Sequence, residues 1–232
     1  MRLEKNVVSD IQNMMMKNKY VITLLGSIAL SCLSALSQIS DNQLWTGATF
    51  RLRINKDMRF DIEEQMRFNN DISRLNIAYT EGGVLYELNK SISFKANFRY
   101  IYDPHSHNRY RYSGDFTYGW SKKGFPLDFK YRLRFQRIIE EHTRKSESYF
   151  RNKFSADYNL TKIVDPFIAF ESYFKLSNVN KFTTSRYIIG LEWKLFDNID
   201  LESFYMIEDE FGEKNPKINK VLGIGLTYTL KL

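Results

Sequence analysis

One cysteine, three histidines and little valine stand in a chain of 232 residues. Each shortage excludes something. Cys32 is alone, so no disulfide can form within the chain. The histidines, His105, His107 and His142, have no cysteine or clustered carboxylate beside them to complete a tetrahedral metal set, and neither a metal nor another cofactor is expected. Helical periodicity is missing as well, and no amphipathic helix competes with the strand pattern described below.

Long apolar runs are also scarce: there is one, residues 20–36, YVITLLGSIALSCLSAL. Lys17 and Lys19 precede it, and Ala35 and Ser37 supply the small residues of a cleavage site before Gln38. That order is a secretory signal peptide over 1–37. A spanning helix is the competing reading, but the run is short for a bilayer and contains Gly26, Ser27, Ser31 and Ser34. Met16-Lys17-Asn18-Lys19 is itself a normal signal-peptide start, which makes residues 1–15 read as translated upstream sequence. Cys32 falls inside the run, so the mature chain should lack cysteine altogether. Ala29-Leu30-Ser31 before it lacks the leucine that a lipoprotein signal carries three places upstream.

Charge of one sign is in short supply too. The chain carries +7, and without residues 1–37 it keeps 30 basic and 25 acidic residues, a net of +5. The two signs are interspersed, which excludes a nucleic-acid partner.

Aromatic rings, by contrast, are abundant: 15 Tyr and 18 Phe, with aromatics at 16 % beside 26 % charged residues and a mean hydropathy of -0.43. A soluble core holding so many rings would be more apolar overall. A barrel with rings toward lipid and charges inside removes the conflict. Apolar/polar alternation divides the chain into eleven segments, 44–54, 58–68, 74–88, 91–102, 109–120, 125–138, 149–160, 166–176, 183–195, 199–208 and 221–232. Most exceed the five or six residues usual in soluble strands and suit a tilted membrane crossing. Short turns (55–57, 89–90, 121–124, 161–165, 197–198) alternate with longer polar connections (69–73, 103–108, 139–148, 177–182, 209–220), the asymmetry of an outer-membrane barrel.

The faces agree. In 91–102 the outward row is Ile92, Phe94, Ala96, Phe98, Tyr100 and Tyr102, with Ser93, Lys95, Asn97, Arg99 and Ile101 inward. In 125–138 Phe125, Leu127, Phe129, Tyr131, Leu133 and Phe135 oppose Asp128, Lys130, Arg132, Arg134 and Gln136. The last segment sets Leu222, Ile224, Leu226, Tyr228, Leu230 and Leu232 against Gly223, Gly225, Thr227, Thr229 and Lys231. Tyr100, Tyr102, Tyr110, Tyr112 and Tyr149 beside the loops, and Trp45, Trp120, Phe125, Trp193 and Phe196 beside the turns, read as two interfacial girdles.

The expectation is an all-β protein, a monomeric transmembrane antiparallel up-and-down β-barrel of 10–12 strands over 38–232, in the bacterial outer membrane. Eleven segments break the even count of bacterial single-chain barrels. Either 44–54 is not a full strand, giving ten, or 74–88, interrupted by Gly82-Gly83, hides an extra one, giving twelve. Glu64, on the outward row of 58–68, also marks that region as irregular.

Leu44-Trp45-Thr46-Gly47, Glu63-Glu64-Gln65-Met66-Arg67-Phe68, Tyr86-Glu87-Leu88-Asn89-Lys90 and Phe98-Arg99-Tyr100 resemble the outer-membrane family catalogued as domain of unknown function 2490, found mainly in Bacteroidota-type bacteria. The resemblance covers about 43–232. It implies a barrel and transfers no catalytic residue, because the family has no established activity.

For chemistry the lumen offers most. Arg99, Arg109, Arg111, Lys130, Arg132, Arg134, Arg151 and Lys153 form a basic wall. Glu171, Glu192, Asp200, Glu202 and Glu208 form an acidic region on later strands, with Asp61 and Glu63 early. Long side chains of both signs in a barrel this narrow either pair into a plug or border a narrow pore that prefers small anionic solutes. Outer-membrane lipid, and the barrel-assembly machinery acting through the C-terminal strand, are the expected partners. No catalytic residue is expected. A lipid hydrolase using His105-Ser106-His107-Asn108 is one alternative, although His-x-His-Asn stands where lipid A deacylase barrels place His-x-Ser-Asn. A soluble periplasmic barrel binding an apolar ligand is another, and it requires the aromatic face to point inward.

Overall fold

The computed structural model describes residues 39–176, 180–211 and 216–232, so the expected signal peptide lies outside the described residues. The remainder is strand and turn. β1 (Ile39–Arg53), β2 (Met58–Asn69), β3 (Arg74–Glu87), β4 (Ile92–Tyr102), β5 (Arg109–Ser121) and β6 (Leu127–Glu140) are followed by β7 (Ser146–Tyr158), β8 (Val164–Leu176), β9 (Lys181–Phe196), β10 (Ile199–Glu210) and β11 (Lys217–Lys231). Each strand pairs antiparallel with its sequence neighbours. β1 then closes onto β11 in parallel, in unbroken register from Ile39 opposite Lys217 to Arg53 opposite Lys231.

The eleven strands fall within the expected 10–12; the closure corrects the parity argument that pointed to ten or twelve and the expectation of a wholly antiparallel barrel. Ten or twelve strands follow only if every pair is antiparallel; one parallel seam admits eleven. β1 is a full strand and starts at Ile39, ahead of Leu44. β3 runs through Gly82 and Gly83, which pair with Ile62 and Asp61 on one side and Phe98 and Asn97 on the other.

At one end of the barrel the chain turns on side-chain acceptors. Asn55 Oδ1 accepts from the amides of Asp57 and Met58, Asn89 Oδ1 from Ser91 and Ile92, and Thr161 Oγ1 from Ile163 and Val164. These are local turns that polar β-breakers form at little cost. The other end holds the connections expected to be long. They prove little longer, because strands run on into them: β6 reaches Glu140 and β7 begins at Ser146. There Asn70, Asp71 and Ile72 adopt φ of 53°, 53° and 68°, a left-handed stretch that is strained for a β-branched residue. The start of β1 holds it: Asn42 Nδ2 donates to Asp71 Oδ1 at 2.7 Å and Ile72 N donates to Asn42 O at 3.2 Å.

Alternation puts the large apolar side chains on the outer wall. Phe94, Phe98, Phe129, Phe154, Phe170, Tyr187, Leu222, Ile224 and Leu226 are all exposed there, and neighbouring rings pack edge to face or tilted across strands, as in Tyr131–Phe154 at 4.7 Å. An apolar, ring-rich outside around a polar inside is the pattern of a barrel immersed in lipid. It also corrects the soluble alternative, whose apolar face would have to line the interior.

Candidate functional site

In the half nearer the loops the interior wall carries a dense set of charged side chains. Arg99, Arg111, Arg134, Arg151, Glu81, Asp115, Glu171 and Glu208 are all buried there. Their pairing follows from register, since each acid stands directly across a strand pair from a cation. Glu81 lies opposite Arg99, which lies opposite Arg111, and Glu81 Oε2 accepts from Arg99 Nε at 2.7 Å and from Arg111 Nη2 at 2.6 Å. Asp115 lies opposite Arg134 and takes both fork nitrogens, each at 2.6 Å. This bidentate geometry is the strongest arrangement available to the pair.

Glu171 is the hub on the far wall. It is 2 % exposed and accepts from Arg151 at 2.8 Å and Arg132 at 2.7 Å, with Arg186 Nη1 at 3.4 Å. Arg186 also reaches Glu208, which Asn219 Nδ2 supports at 3.0 Å. Arg151 Nη1 donates to Gln136 Oε1 at 3.0 Å.

Three inward rings link these clusters into a belt. The Arg67 guanidinium lies 3.5 Å from the centre of the Trp45 ring and 5.4 Å from that of Tyr79; Arg99 lies 3.3 Å over Tyr79. Arg186 lies 5.3 Å from Trp45 and 4.8 Å from Tyr173, and Arg151 lies 4.3 Å from Tyr173. Cation–π contact strengthens as the groups that make it lose water. Trp45 and Tyr149 are therefore corrections: both were read as lipid-facing girdle residues, and both point inward. Trp45 packs with Met206 and Val221, while Tyr149 donates to Glu147 Oε2 and stacks edge-on with Tyr173.

The nine lumen residues singled out from sequence divide between two levels. Arg99, Arg111, Arg132, Arg134, Arg151 and Glu171 belong to the belt. Lys130 lies toward the turns, paired with Asp157 at 3.1 Å. Glu192 and Glu202 face each other across β9 and β10 and are exposed to the open turn-side half of the lumen. Below Trp45 and Phe204, a cavity of about 240 Å³ is lined by Thr49, Glu63, Glu202, Gly225 and Thr227 among others. Sequence reasoning missed Arg67, Tyr79, Glu81, Asp115, Tyr173 and Arg186; extending the inward parity to every strand would have found them.

The belt carries a cationic excess. Arg67, Arg99, Arg111, Arg132, Arg134, Arg151, Lys153 and Arg186 face Glu81, Asp115, Glu171 and Glu208. Lys153 sits between Arg132 and Glu171 in register and forms no ion pair among the described residues. The buried Nε atoms of Arg111 and Arg132 have no acceptor among the described residues.

The loop histidines assemble differently from a hydrolase site. His105 Nε2 contacts the Leu75 carbonyl at 3.0 Å, and His107 meets His142 edge-on at 5.3 Å. Among the described residues no hydrogen bond joins a histidine to a serine. Outside the membrane-spanning strands, Glu141 accepts from Tyr110 Oη at 2.8 Å and Asn108 Nδ2 at 3.1 Å, which holds its carboxyl below the usual range, the tyrosine hydrogen bond contributing most.

A family model described as "Protein of unknown function (DUF2490)" matches residues 42–219. The chain belongs to this family. Comparison with the curated proteins gives no match. Among solved structures, this DUF2490 member is similar to one described as "NanC porin structure in rhombohedral crystal form". The likeness has 13 % identity and a TM-score of 0.50, over 82 % of this chain and 99 % of that one. At that identity the likeness bears on the barrel fold alone.

Proposed function

We propose that this chain is a non-enzymatic outer-membrane barrel that keeps its lumen shut by the arginine–carboxylate–ring belt. The carrying observation is that charged side chains on an interior wall, which an open aqueous pore would hydrate, are buried at the level of Glu171 and Arg134. The turn-side half stays open beneath this closure as a vestibule. The outward rings, and the porin described for the similar fold, support a place in the outer membrane; outer-membrane lipid and the assembly machinery are its proposed partners.

The cationic excess and the unpaired Lys153 favour a second step within the same reading. When the belt opens, the path it exposes prefers small anionic solutes, because fixed guanidinium and ammonium charges lower the cost of anion entry. Planar-bilayer recording of refolded protein tests both parts. The wild type should be silent or pass rare brief events, and Glu171→Gln should pass more current with anion selectivity. A steady, unselective wild-type current would refute the closed lumen. Cation selectivity in the variant would refute the anion path.

A further inference from the structure

Two hollows on the outer wall follow one another along β5 and β6. The first, of about 400 Å³ at the loop end, is lined by Tyr110, Tyr112, Ile139, Glu140, Glu141 and Arg144, so the connection from β6 to β7 forms part of its wall. The second, of about 520 Å³, lies deeper, over Ala96 and Gly114, which stand opposite each other across β4 and β5. Phe116, Phe135 and Phe150 flank it. Gly114 follows Tyr112 on the outward row of β5, and a Cβ built on it would touch nothing within 4 Å. The trough exists because two small residues interrupt a wall of rings.

The loop-end hollow is polar where the trough is not. Tyr110 and Asn108 fix the Glu141 carboxylate, and Thr143 donates its hydroxyl to Glu140. Arg144 has a left-handed backbone, φ 57°, held by its amide donating to Glu140 O at 3.2 Å. Its guanidinium has no partner among the described residues. Arg137 marks the junction of the two hollows. It is exposed on the outward row of β6, between Phe135 and Ile139 and opposite Tyr112, and its side-chain hydrogen bond goes to the neutral Ser146 Oγ at 3.1 Å. A cation on a lipid-facing row is costly unless something polar meets it.

We propose that the two hollows form one site for a phosphorylated glycolipid of the outer leaflet. An acyl chain fills the trough over Ala96 and Gly114, a sugar occupies the loop-end hollow, and a phosphate lies at their junction against Arg137 and Arg144. Each part of this occupant answers an observation. The trough is apolar and opens on lipid. Carboxylates, a guanidinium and tyrosine hydroxyls together match sugar hydroxyls, which both donate and accept. The two guanidiniums without a carboxylate partner suit a phosphate, whose oxygens fit their fork. A phospholipid without a sugar would set its phosphate beside Glu140 and Glu141 with too few hydroxyls to bond them. The inference rests on the membrane placement proposed above, with the loops outside, and is independent of the closed lumen, since no belt residue takes part.

The test is native mass spectrometry of the full chain, refolded in mild detergent and offered short-core lipopolysaccharide, its dephosphorylated form or phosphatidylglycerol. The wild type should retain one lipopolysaccharide and hold the other two lipids roughly tenfold more weakly or less. Gly114→Leu, whose Cβ meets nothing in its own barrel, fills the trough, and Arg137→Gln removes the junction charge; each should lower affinity by roughly tenfold. Arg137→Gln should also erase the preference for the phosphorylated form. Arg144→Gly, which suits the left-handed backbone, should weaken binding without straining the connection. Mobility of unheated samples on gels would verify that each variant is folded. Equal binding of phosphatidylglycerol, or retention indifferent to Gly114→Leu and Arg137→Gln, would overturn the proposal. Membrane fractionation of cells checks the placement separately: protein found in the outer membrane that retains no glycolipid overturns this inference and leaves the placement standing.

Discussion

Replacing Glu171 with glutamine keeps the shape of the hub and removes its charge. A pair at the 2.8 Å separating Arg151 from Glu171 attracts by about 6 kcal/mol at an effective dielectric of about 20. Most of that is offset by the loss of hydration, so the net value of the pair is small. Deleting one partner is another matter. It strands the other charges, and buried pairs lose about 3–5 kcal/mol when broken in this way. Three cations depend on Glu171, but not equally. Arg186 keeps Glu208, Arg151 keeps Gln136, and Arg132, with 26 % of its side chain exposed, can recover water from the vestibule. These alternatives place the expected loss near the lower bound, about 3 kcal/mol. Urea unfolding in lipid vesicles, followed by tryptophan fluorescence, measures it as a shift in midpoint at unchanged slope. Removing Arg151 in the same chain, as Glu171→Gln/Arg151→Gln, should recover part of the loss, because fewer cations remain unbalanced. A single-variant loss under about 1 kcal/mol would mean that the belt is hydrated in solution and that the closed lumen is wrong.

Other consequences of the geometry can be measured separately. Trp45→Ala removes a ring stacked 3.5 Å from the Arg67 guanidinium and should cost about 3–5 kcal/mol in the same unfolding assay. Gly190→Val should destabilise by about 1–3 kcal/mol, because its Cβ would stand 2.7 Å from the Ser203 carbonyl oxygen. Cysteines at Thr49 and Thr227, which face each other across the seam, should form a disulfide on mild oxidation, read by gel mobility; failure under several oxidants would argue against parallel closure. Glu141, depressed by Tyr110 and Asn108, contributes stability to its loop above the unfolded carboxylate value of about 4.3. That contribution is lost as pH falls through the lower folded value. Carboxyl chemical shifts should titrate below the ordinary range and move up in Tyr110→Phe; unchanged titration would refute the contact.

Strand periodicity made most of the wall legible. The rows Phe94-Ala96-Phe98 and Phe129-Tyr131-Leu133 stand outward as read, because side-chain direction is local to each strand. Closure is not local. Nothing in the alternation of 44–54 states which strand its edge will meet, so a parallel seam looked like a counting error. Trp45 was misread for a related reason: assignment to the turn-side girdle was allowed to outweigh parity, although Gly47 and Thr49 on the same row already pointed inward, and its place opposite Arg67 is in the loop-side half. The basic wall was visible as a set of residues, but its division into a paired belt and an acidic vestibule was not. That depends on the stagger between strands, which sets Arg132 level with Lys153 and Glu171 while leaving Glu192 and Glu202 lower down.

The parallel seam also bears on how the chain reaches this shape. Every other pairing joins strands adjacent in sequence, so its entropic cost is that of a short loop. Joining Ile39 to Lys217 closes almost the whole polypeptide, at about 4–5 kcal/mol on the logarithmic scaling of loop entropy, and nothing is recovered until both terminal strands are in place. The seam should therefore form last and be the step most exposed to competition. A lesion there, such as Thr49→Pro, would slow maturation of the barrel more than an equally destabilising change in the β5–β6 hairpin.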